Sequence, residues 1–596
     1  MPVHKIIKKV PGFFLFCLIA ANVIAQAPRA ADYPKNYFRN PLSIPMSLSA
    51  NFGELRANHW HMGLDIRTNR QVNLPVYAAA DGYIARVSVQ AFGFGQAIYI
   101  NHPNGLTTVY GHLNAFFPAL AAYIEKQQYQ KESWNIDITF TPGQFPVKKG
   151  QEIARSGSTG GSQGPHLHFE IRNTQTEKCL NPLLFGFADD DKIPPVIGRL
   201  AIYDRERSLY EQSPRLITVS KSSAYKYITN PQVIETGDNR VSFAINATDR
   251  TNISSGPNGI YGAKICMDDK LLSAFKLDDI GYDETLYLNA QIDYRYKNKG
   301  GIYLQHLSKL PGDNGPAYIL RDDRGLIVLN DSLRHKMEIE VKDANGNSAV
   351  LNFELVYKPG LKKDRAVTGE EKFPPGFVSV FERDDFEAFI KEGTLYDTIH
   401  PDFAATETTT TGAASARFHL NDASIPVHQH FAVRIKPDVV LADKEKNRIL
   451  ILRESGKSKS VDKARWEAGW LTASAGNFGD FQAFLDTVPP ALNSIGKGDT
   501  LDLSRSSTIV FRPTDNFDVI RNFRAELDGK WLMFSNDKGR SFIYRFDEHF
   551  PYGVHRLTVR VEDLAGNTTV RSWWLKRNRN STAPVRKKAV PAKKKN

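Results

Sequence analysis

His166-Leu167-His168-Phe169-Glu170 is the stretch on which the reading of the N-terminal third turns. As a strand it has a side-chain period of two, so His166 and His168 share one face and Leu167 points to the other. Two imidazoles on one sheet face suit one metal ligand and one neighbouring acid–base group. Outward from there, Asp32 to Phe187 consists of short runs rich in Val, Ile, Tyr and Phe, separated by Gly, Pro, Asn or Asp, the pattern of strands and turns. Val76–Val87 reads as strand, Asp81-Gly82 turn and strand. Asn104-Gly105 marks a hairpin between Ala97–His102 and Thr107–His112. Ala115 to Gln130 has no glycine and contains Ala, Leu, Ile, Glu, Lys and Gln, so a helix is expected there, ahead of a strand-like stretch at 135–141.

Three further segments carry chemistry-bearing side chains: His61-Met62-Gly63-Leu64-Asp65, Tyr110-Gly111-His112-Leu113 and Gly157-Ser158-Thr159-Gly160. Catalytic zinc takes three protein ligands from imidazole, carboxylate or thiolate and leaves a fourth position for water, a need that two histidines and one aspartate meet. His61 and Asp65 have the spacing of one helix face, but Gly63 and the preceding Asn51-Phe52-Gly53 argue for a loop beside a strand; either geometry lets the two converge on one ion. His59-Trp60-His61 is a second His-x-His, which makes His59 a rival of His61. His102, just before Pro103, reads as structural. Glu170 reads either as the partner that orients an imidazole or as a strand-end ion pair. No His-Glu-x-x-His motif is present, so the helix-borne glutamate base is missing and a histidine must take its place.

Through Phe52-Gly53, His61-x-Gly63-x-Asp65, Ala80-Asp81-Gly82, Tyr110-Gly111-His112-Leu113, Val147-Lys148-Lys149-Gly150-Gln151, Gly157 to Gly160 and His166 to Glu170, the sequence resembles the lysostaphin and LytM type of zinc metallopeptidases, the bacterial cell-wall endopeptidases. The resemblance covers roughly Asn51 to Pro182. It implies that His61, Asp65 and His168 bind one Zn2+ and that His112 and His166 flank the water at the metal as the catalytic pair; its register favours His61 over His59. With ordinary pKa values near 6.5, either histidine can take a proton from water and pass it to the leaving amine, and which one is the base stays open. The implied substrate is a peptide cross-link of peptidoglycan, with a D-alanyl to diamino acid bond ahead of a pentaglycine bridge. The chain departs from compact relatives at 114–146, where Phe116, Phe117, Tyr123, Tyr129 and Trp134 are expected either to wall or lid the substrate groove or to pack against the back of the domain.

At 596 residues the chain is too long for one core. A basic start (Lys5, Lys8, Lys9), an apolar run Phe13 to Ala21 and small residues near Ala25 read as a signal peptide, 1–25, too short to span a bilayer, which takes about 20 apolar residues. Lipidation at Cys17 is disfavoured by the preceding Leu15-Phe16. Cys179 and Cys266 then remain, too few for a disulfide scaffold, with their pairing undetermined. The three leading lysines and eight basic residues of a disordered tail, 577–596, account for eleven of the net +12, so the body is nearly neutral and no nucleic-acid partner is indicated.

Beyond Pro194 the sequence repeats. Val241–Asp249 is answered by Thr508–Asp515, and Glu338–Asn347 by Thr558–Asn567, each of the latter ending in an Asp-x-x-Gly-Asn turn. Pro194-Pro195 and Pro489-Pro490 sit where linkers are expected. The chain is therefore read as mainly β and multidomain: a small antiparallel β-sheet metallopeptidase domain at 32–187 with an insertion at 114–146, a β-sandwich of immunoglobulin or fibronectin kind at 194–360, a β-rich module at 373–486 with an exposed loop at Thr406 to Gly412, and a second β-sandwich at 489–576. The expected function is an exported zinc endopeptidase of the periplasm, cell envelope or exterior, acting on peptidoglycan, with no membrane span after signal cleavage and an open oligomeric state. The alternatives are a non-catalytic wall-binding regulator of other murein hydrolases and a surface adhesion or assembly protein acting through its sandwiches.

Overall fold

A computed structural model describes residues 33–579 except 189, 255, 321–322, 363–368 and 408. The signal-peptide reading and all but the first three residues of the tail lie outside the described residues. The architecture is mainly β, as expected, with several sheets along the chain.

In the N-terminal region an antiparallel path runs in the order Leu48–Ala50, Leu64–Arg67, His166–Asn173, Leu106–Leu113, Gln96–Asn101, Gly82–Val89 and Ile136–Thr139. Alternation puts Leu64, Ile66, Leu167, Phe169 and Ile171 into one core, all fully buried, and turns Asp65, His166 and His168 to the opposite face. The Asn104-Gly105 hairpin forms as read, with Gly105 at φ +80° and His102 N–H donating to Leu106 O at 2.9 Å.

The helix expected from Ala115 spans Pro118–Gln130, with Pro118 in its first turn and Leu120 and Ile124 buried against the sheet. Its far end faces the C-terminal region. Tyr129 stacks on His549 with ring centroids 3.7 Å apart, and Glu132 pairs with Arg524 at 2.7 Å. No residue of 114–146 lines the cleft that holds the histidines. Of the two outcomes expected for this stretch, packing away from the groove is the one observed, because Phe116, Phe117, Tyr123 and Trp134 pack on the core of the first sheet and Tyr129 reaches a neighbouring region.

Apart from Asp279–Ile280, the strands from Val196–Asp204 to Ser348–Tyr357 join in one eleven-stranded sheet, its two halves meeting through a parallel pairing of Lys226–Thr236 with Ser348–Tyr357. This region shares a core with the first: Phe52, Trp60, Met62 and Cys179 pack with Leu277, Ile280, Leu288 and Ile292. The short strand Cys179–Leu180 pairs with Asp279–Ile280 and carries the first sheet across the border. Next, two five-stranded sheets face each other across a phenylalanine-rich core that includes Phe381, Phe386, Phe418, Phe431 and Phe481. The last region has a five-stranded sheet and the pair Thr508–Phe511 with Phe542–Arg545 around its own core.

The repeated turn is built twice in the same way. The Asp343 carboxylate accepts from Asn345 N and Asn347 N, and that of Asp563 from Gly566 N and Asn567 N, with Gly346 at φ +92° and Gly566 at φ +97°. Both cysteines among the described residues, Cys179 and Cys266, are free, and Cys179 is buried.

Candidate metal centre

The register of two strands builds the centre. Leu64–Arg67 runs antiparallel to His166–Asn173 with His168 directly opposite Asp65, so the two side chains share a face. On the other side of His168 lies Gly111, where a Cβ would come 3.4 Å from the Cβ of His168 and 3.0 Å from the Phe94 ring. His61 arrives from a loop rather than a helix, pinned by His61 N–H to Glu54 O and Gly53 N–H to His61 O, both 2.8 Å. The outcome is a triangle of ligand atoms. His61 Nε2 and His168 Nδ1 each lie 3.0 Å from Asp65 Oδ1 and 3.1 Å from each other. Those sides approach the ~3.4 Å edge of a tetrahedron with metal–ligand bonds of about 2.1 Å. His59 stands outside the triangle, its Nδ1 bonded to Ala57 O.

Hydrogen bonds fix which nitrogen faces inward. A carbonyl oxygen only accepts, so the 2.8 Å contact of His61 Nδ1 with Asn51 O places the proton on Nδ1 and leaves the Nε2 lone pair for the triangle. His168 donates Nε2–H to Glu170 Oε1 at 2.9 Å and turns its Nδ1 inward. Asn51 is itself clamped from the second region: its Nδ2 donates to Gly259 O and its Oδ1 accepts from Gly259 N. Glu170, fully buried, also accepts from Arg172 Nε at 2.7 Å and from Tyr282 OH at 2.6 Å. Burial opposes its ionisation, but Arg172 and His168 outweigh burial and hold it down at about 2. For His168 burial works against the cation, yet the Asp65 and Glu170 carboxylates win and push it up to about 9. Asp65 is held well below the usual carboxylate range, burial being overcome by His61, His166 and His168. Two imidazole nitrogens and a carboxylate oxygen, oriented from behind and converging on one point, fit a zinc ion.

His112 and His166 flank the triangle. His112 sits at φ +59°, a left-handed conformation inside a strand, where its N–H leaves the regular ladder to bond Phe94 O. That conformation is costly for a non-glycine residue and is typical of functional positions. Its Nδ1–H donates to Thr159 O at 2.8 Å, and His166 Nδ1–H donates to Gly164 O at 2.8 Å, so in each neutral ring Nε2 is the unprotonated nitrogen. The two rings are 4.7 Å apart, and His166 Nε2 lies 3.4 Å from Asp65 Oδ1. Burial, with the neighbouring His168 and His166, pushes His112 down to about 3, so at neutral pH it is an uncharged imidazole. His102 lies elsewhere, buried and bonded to Asp81 O and Thr108 Oγ1.

The cleft over these groups has a volume of about 1160 Å3 and is lined also by Arg56, Arg67, Gln90, Phe94 and Tyr282. Asn51 as an anchor, Arg172 as a counter-ion and Tyr282 as a cover were not singled out from the sequence. The partners of Asn51 and Glu170, Gly259 and Tyr282, lie about 100 to 200 positions away, and only the shared core brings them together. Glu170→Gln leaves the Arg172 guanidinium buried without its anionic partner. We expect a loss of about 3 kcal/mol in stability, measured by chemical denaturation of metal-free protein.

Residues 59–129 and 134–182 match the family model described as peptidase family M23, and residues 371–486 match that of the Zu5-like domain. An uncharacterized metalloprotease of Haemophilus influenzae is 32% identical over 174 residues, 28% of this chain and 31% of the relative. The DD-carboxypeptidase/endopeptidase Mpg of Neisseria meningitidis is 36% identical over 112 residues, 19% of this chain and 20% of the relative. The peptidoglycan DD-endopeptidase ShyC of Vibrio cholerae is 31% identical over 146 residues, 23% of this chain and 27% of the relative. The chain thus spans about a third or less of the length of these relatives. Given this match and the converging His61, Asp65 and His168, the N-terminal region of the chain is a peptidase family M23 domain.

Proposed function

We propose that the chain is a zinc-dependent endopeptidase that hydrolyses peptide cross-links of bacterial peptidoglycan, a D-alanyl to diamino acid amide in the first instance. The observation that carries this reading is the convergence of His61 Nε2, Asp65 Oδ1 and His168 Nδ1 beside two imidazoles anchored through Nδ1, which leaves Nε2 as the unprotonated nitrogen of each neutral ring. His61, Asp65 and His168 would hold one Zn2+. Bound there, zinc polarises a carbonyl and lowers the pKa of water toward about 7.

The remaining work falls to the side chains. The neutral His112 Nε2 accepts the proton of the attacking water, and the imidazolium so formed passes it to the leaving amine, with His166 beside it at a 4.7 Å ring spacing. Phe94 and Tyr282 wall the cleft and keep water from the buried His168–Glu170–Arg172 chain. Relatives named as a DD-carboxypeptidase/endopeptidase and a peptidoglycan DD-endopeptidase support the substrate class. That substrate places the protein outside the cytoplasm, in the periplasm or cell envelope. Among the described residues no helix is long and apolar enough to cross a membrane. With all three ligands and both flanking histidines in place, no observation favours the non-catalytic regulator.

The test uses the full chain, because the first region shares a core with the second. Purified sacculi incubated with the zinc-loaded protein should release fragments whose masses show a newly freed amine at the cross-link, and a chelator should stop the release. Absence of cleavage at full zinc occupancy, or cleavage indifferent to chelator, would contradict the proposal.

A further inference from the structure

We propose that Asp486, Asp515 and Asp563 form a calcium site that clamps the last region to the Zu5-like region. Each offers one carboxylate oxygen, and the three oxygens lie within 4.8 Å of one another. The ligands come from three separate places: just past the strand Gly479–Leu485, in the turn after Thr508–Phe511, and at the end of Gly553–Asp563. Asp563 is fully buried and Asp486 is 1% exposed.

The hydrogen bonding is lopsided in a way that points to a cation. Asp486 Oδ1 accepts from Val488 N and Asn516 Nδ2, Asp515 Oδ2 from Phe517 N, and both oxygens of Asp563 from Gly566 N, Asn567 N and Asn567 Nδ2. Asp486 Oδ2 and Asp515 Oδ1 are shut off from solvent and have no hydrogen-bond partner among the described residues. No lysine, arginine or histidine among the described residues is ion-paired with any of the three. Three carboxylates this close, two of them with a buried oxygen that has no partner, suit a hard divalent cation. Calcium is favoured over magnesium because it accepts flexible all-oxygen cages, whereas magnesium keeps most of its water.

The chain lays out the same pieces at the head of its second region. Asp191-Lys192-Ile193-Pro194-Pro195 matches Asp486-Thr487-Val488-Pro489-Pro490, and the two long repeats align Asp249 with Asp515 and Asp343 with Asp563. Asp191 Oδ2 and Asp249 Oδ1 are again buried without partners, and Asn347 Nδ2 donates to Asp191 O at 3.1 Å as Asn567 Nδ2 does to Asp486 O. Recurrence of buried, unpaired carboxylates in corresponding places argues for a function beyond turn formation. The clamp has a further consequence: the last region reaches the M23 domain, where Asp537 accepts from Gly160 N and Lys538 Nζ donates to Ser162 O beside the histidine cleft. Calcium at Asp486 would fix the region that carries this contact.

The experiment takes the full chain, strips it with chelator, restores one equivalent of zinc and adds calcium to about 5 mM, followed by calorimetric titration and thermal melting. The wild type should bind calcium and gain roughly 5–10 °C in the melting of the last region. Asp515→Asn, which keeps an acceptor for Phe517 N, should bind one ion fewer and lose that gain, while melting in calcium-free buffer at or above the wild type because one of three repelling charges is gone. Asp486→Asn should behave alike. No heat and no shift with calcium, a response to magnesium alone, or an Asp515→Asn protein that responds like the wild type would overturn the proposal. Zinc content is read separately, so this result is independent of the peptidase reading.

Discussion

His168→Ala should release the zinc and with it at least about 10³ of the turnover, since loss of metal assistance forfeits several kcal/mol of transition-state stabilisation and each 1.4 kcal/mol is tenfold. The loss is large because His168 is more than one of three ligands. Its Nδ1 faces both His61 Nε2 and Asp65 Oδ1, and its Nε2–H is the link through which Glu170, Arg172 and Tyr282 hold the centre from behind. Without the imidazole, Asp65 and Glu170 also lose a buried donor, so stability should fall together with zinc content. Elemental analysis of the purified variant, with circular dichroism to confirm folding, separates the two effects. A His168→Ala protein that keeps one zinc and full activity would remove His168 from the ligand set.

His112→Ala should have the opposite signature, full zinc content with kcat lowered by about 10²–10⁴ and KM little changed, the usual worth of a positioned general base. His112 is not part of the ligand triangle; its ring is 5.9 Å from that of His168 and is anchored through Nδ1 to Thr159 O. Because its backbone sits at φ +59°, alanine there carries a conformational cost. His112→Asn, a residue that tolerates this conformation, supplies the control. Both variants should bind zinc as the wild type does and turn over slowly. An active His112→Asn enzyme would shift the base role to His166.

Much of this centre was legible from local pattern. The period-two reading of His166-Leu167-His168 puts both imidazoles on the face that carries Asp65, and the pairing of His168 with Asp65 supplies the contact that the sequence left undefined. Gly63 correctly argued for a loop at His61, since a helix would not allow the His61 N–H to Glu54 O bond that aims its ring. What sequence could not show are groups joined only by the tertiary fold. Gly259 and Tyr282 carry no local mark of service to histidines in another region, yet one holds the side-chain amide of Asn51, whose backbone carbonyl orients His61, and the other donates to Glu170, the acceptor of His168. The aromatic residues of 114–146 left two outcomes open because local pattern does not say which surface they meet; Tyr129 found His549, over 400 positions away. The Asp-x-x-Gly-Asn turns were readable as turns, whereas the meeting of Asp563 with Asp486 and Asp515 needed three strands to be placed.

The most direct measurement is X-ray absorption at the zinc edge on the full chain loaded with one equivalent of zinc. The account predicts two imidazole nitrogens and a carboxylate oxygen at about 2.0–2.2 Å, with the imidazole signal reduced to one ring in His61→Ala. An all-oxygen shell, or an unchanged two-imidazole shell in His61→Ala, would contradict it.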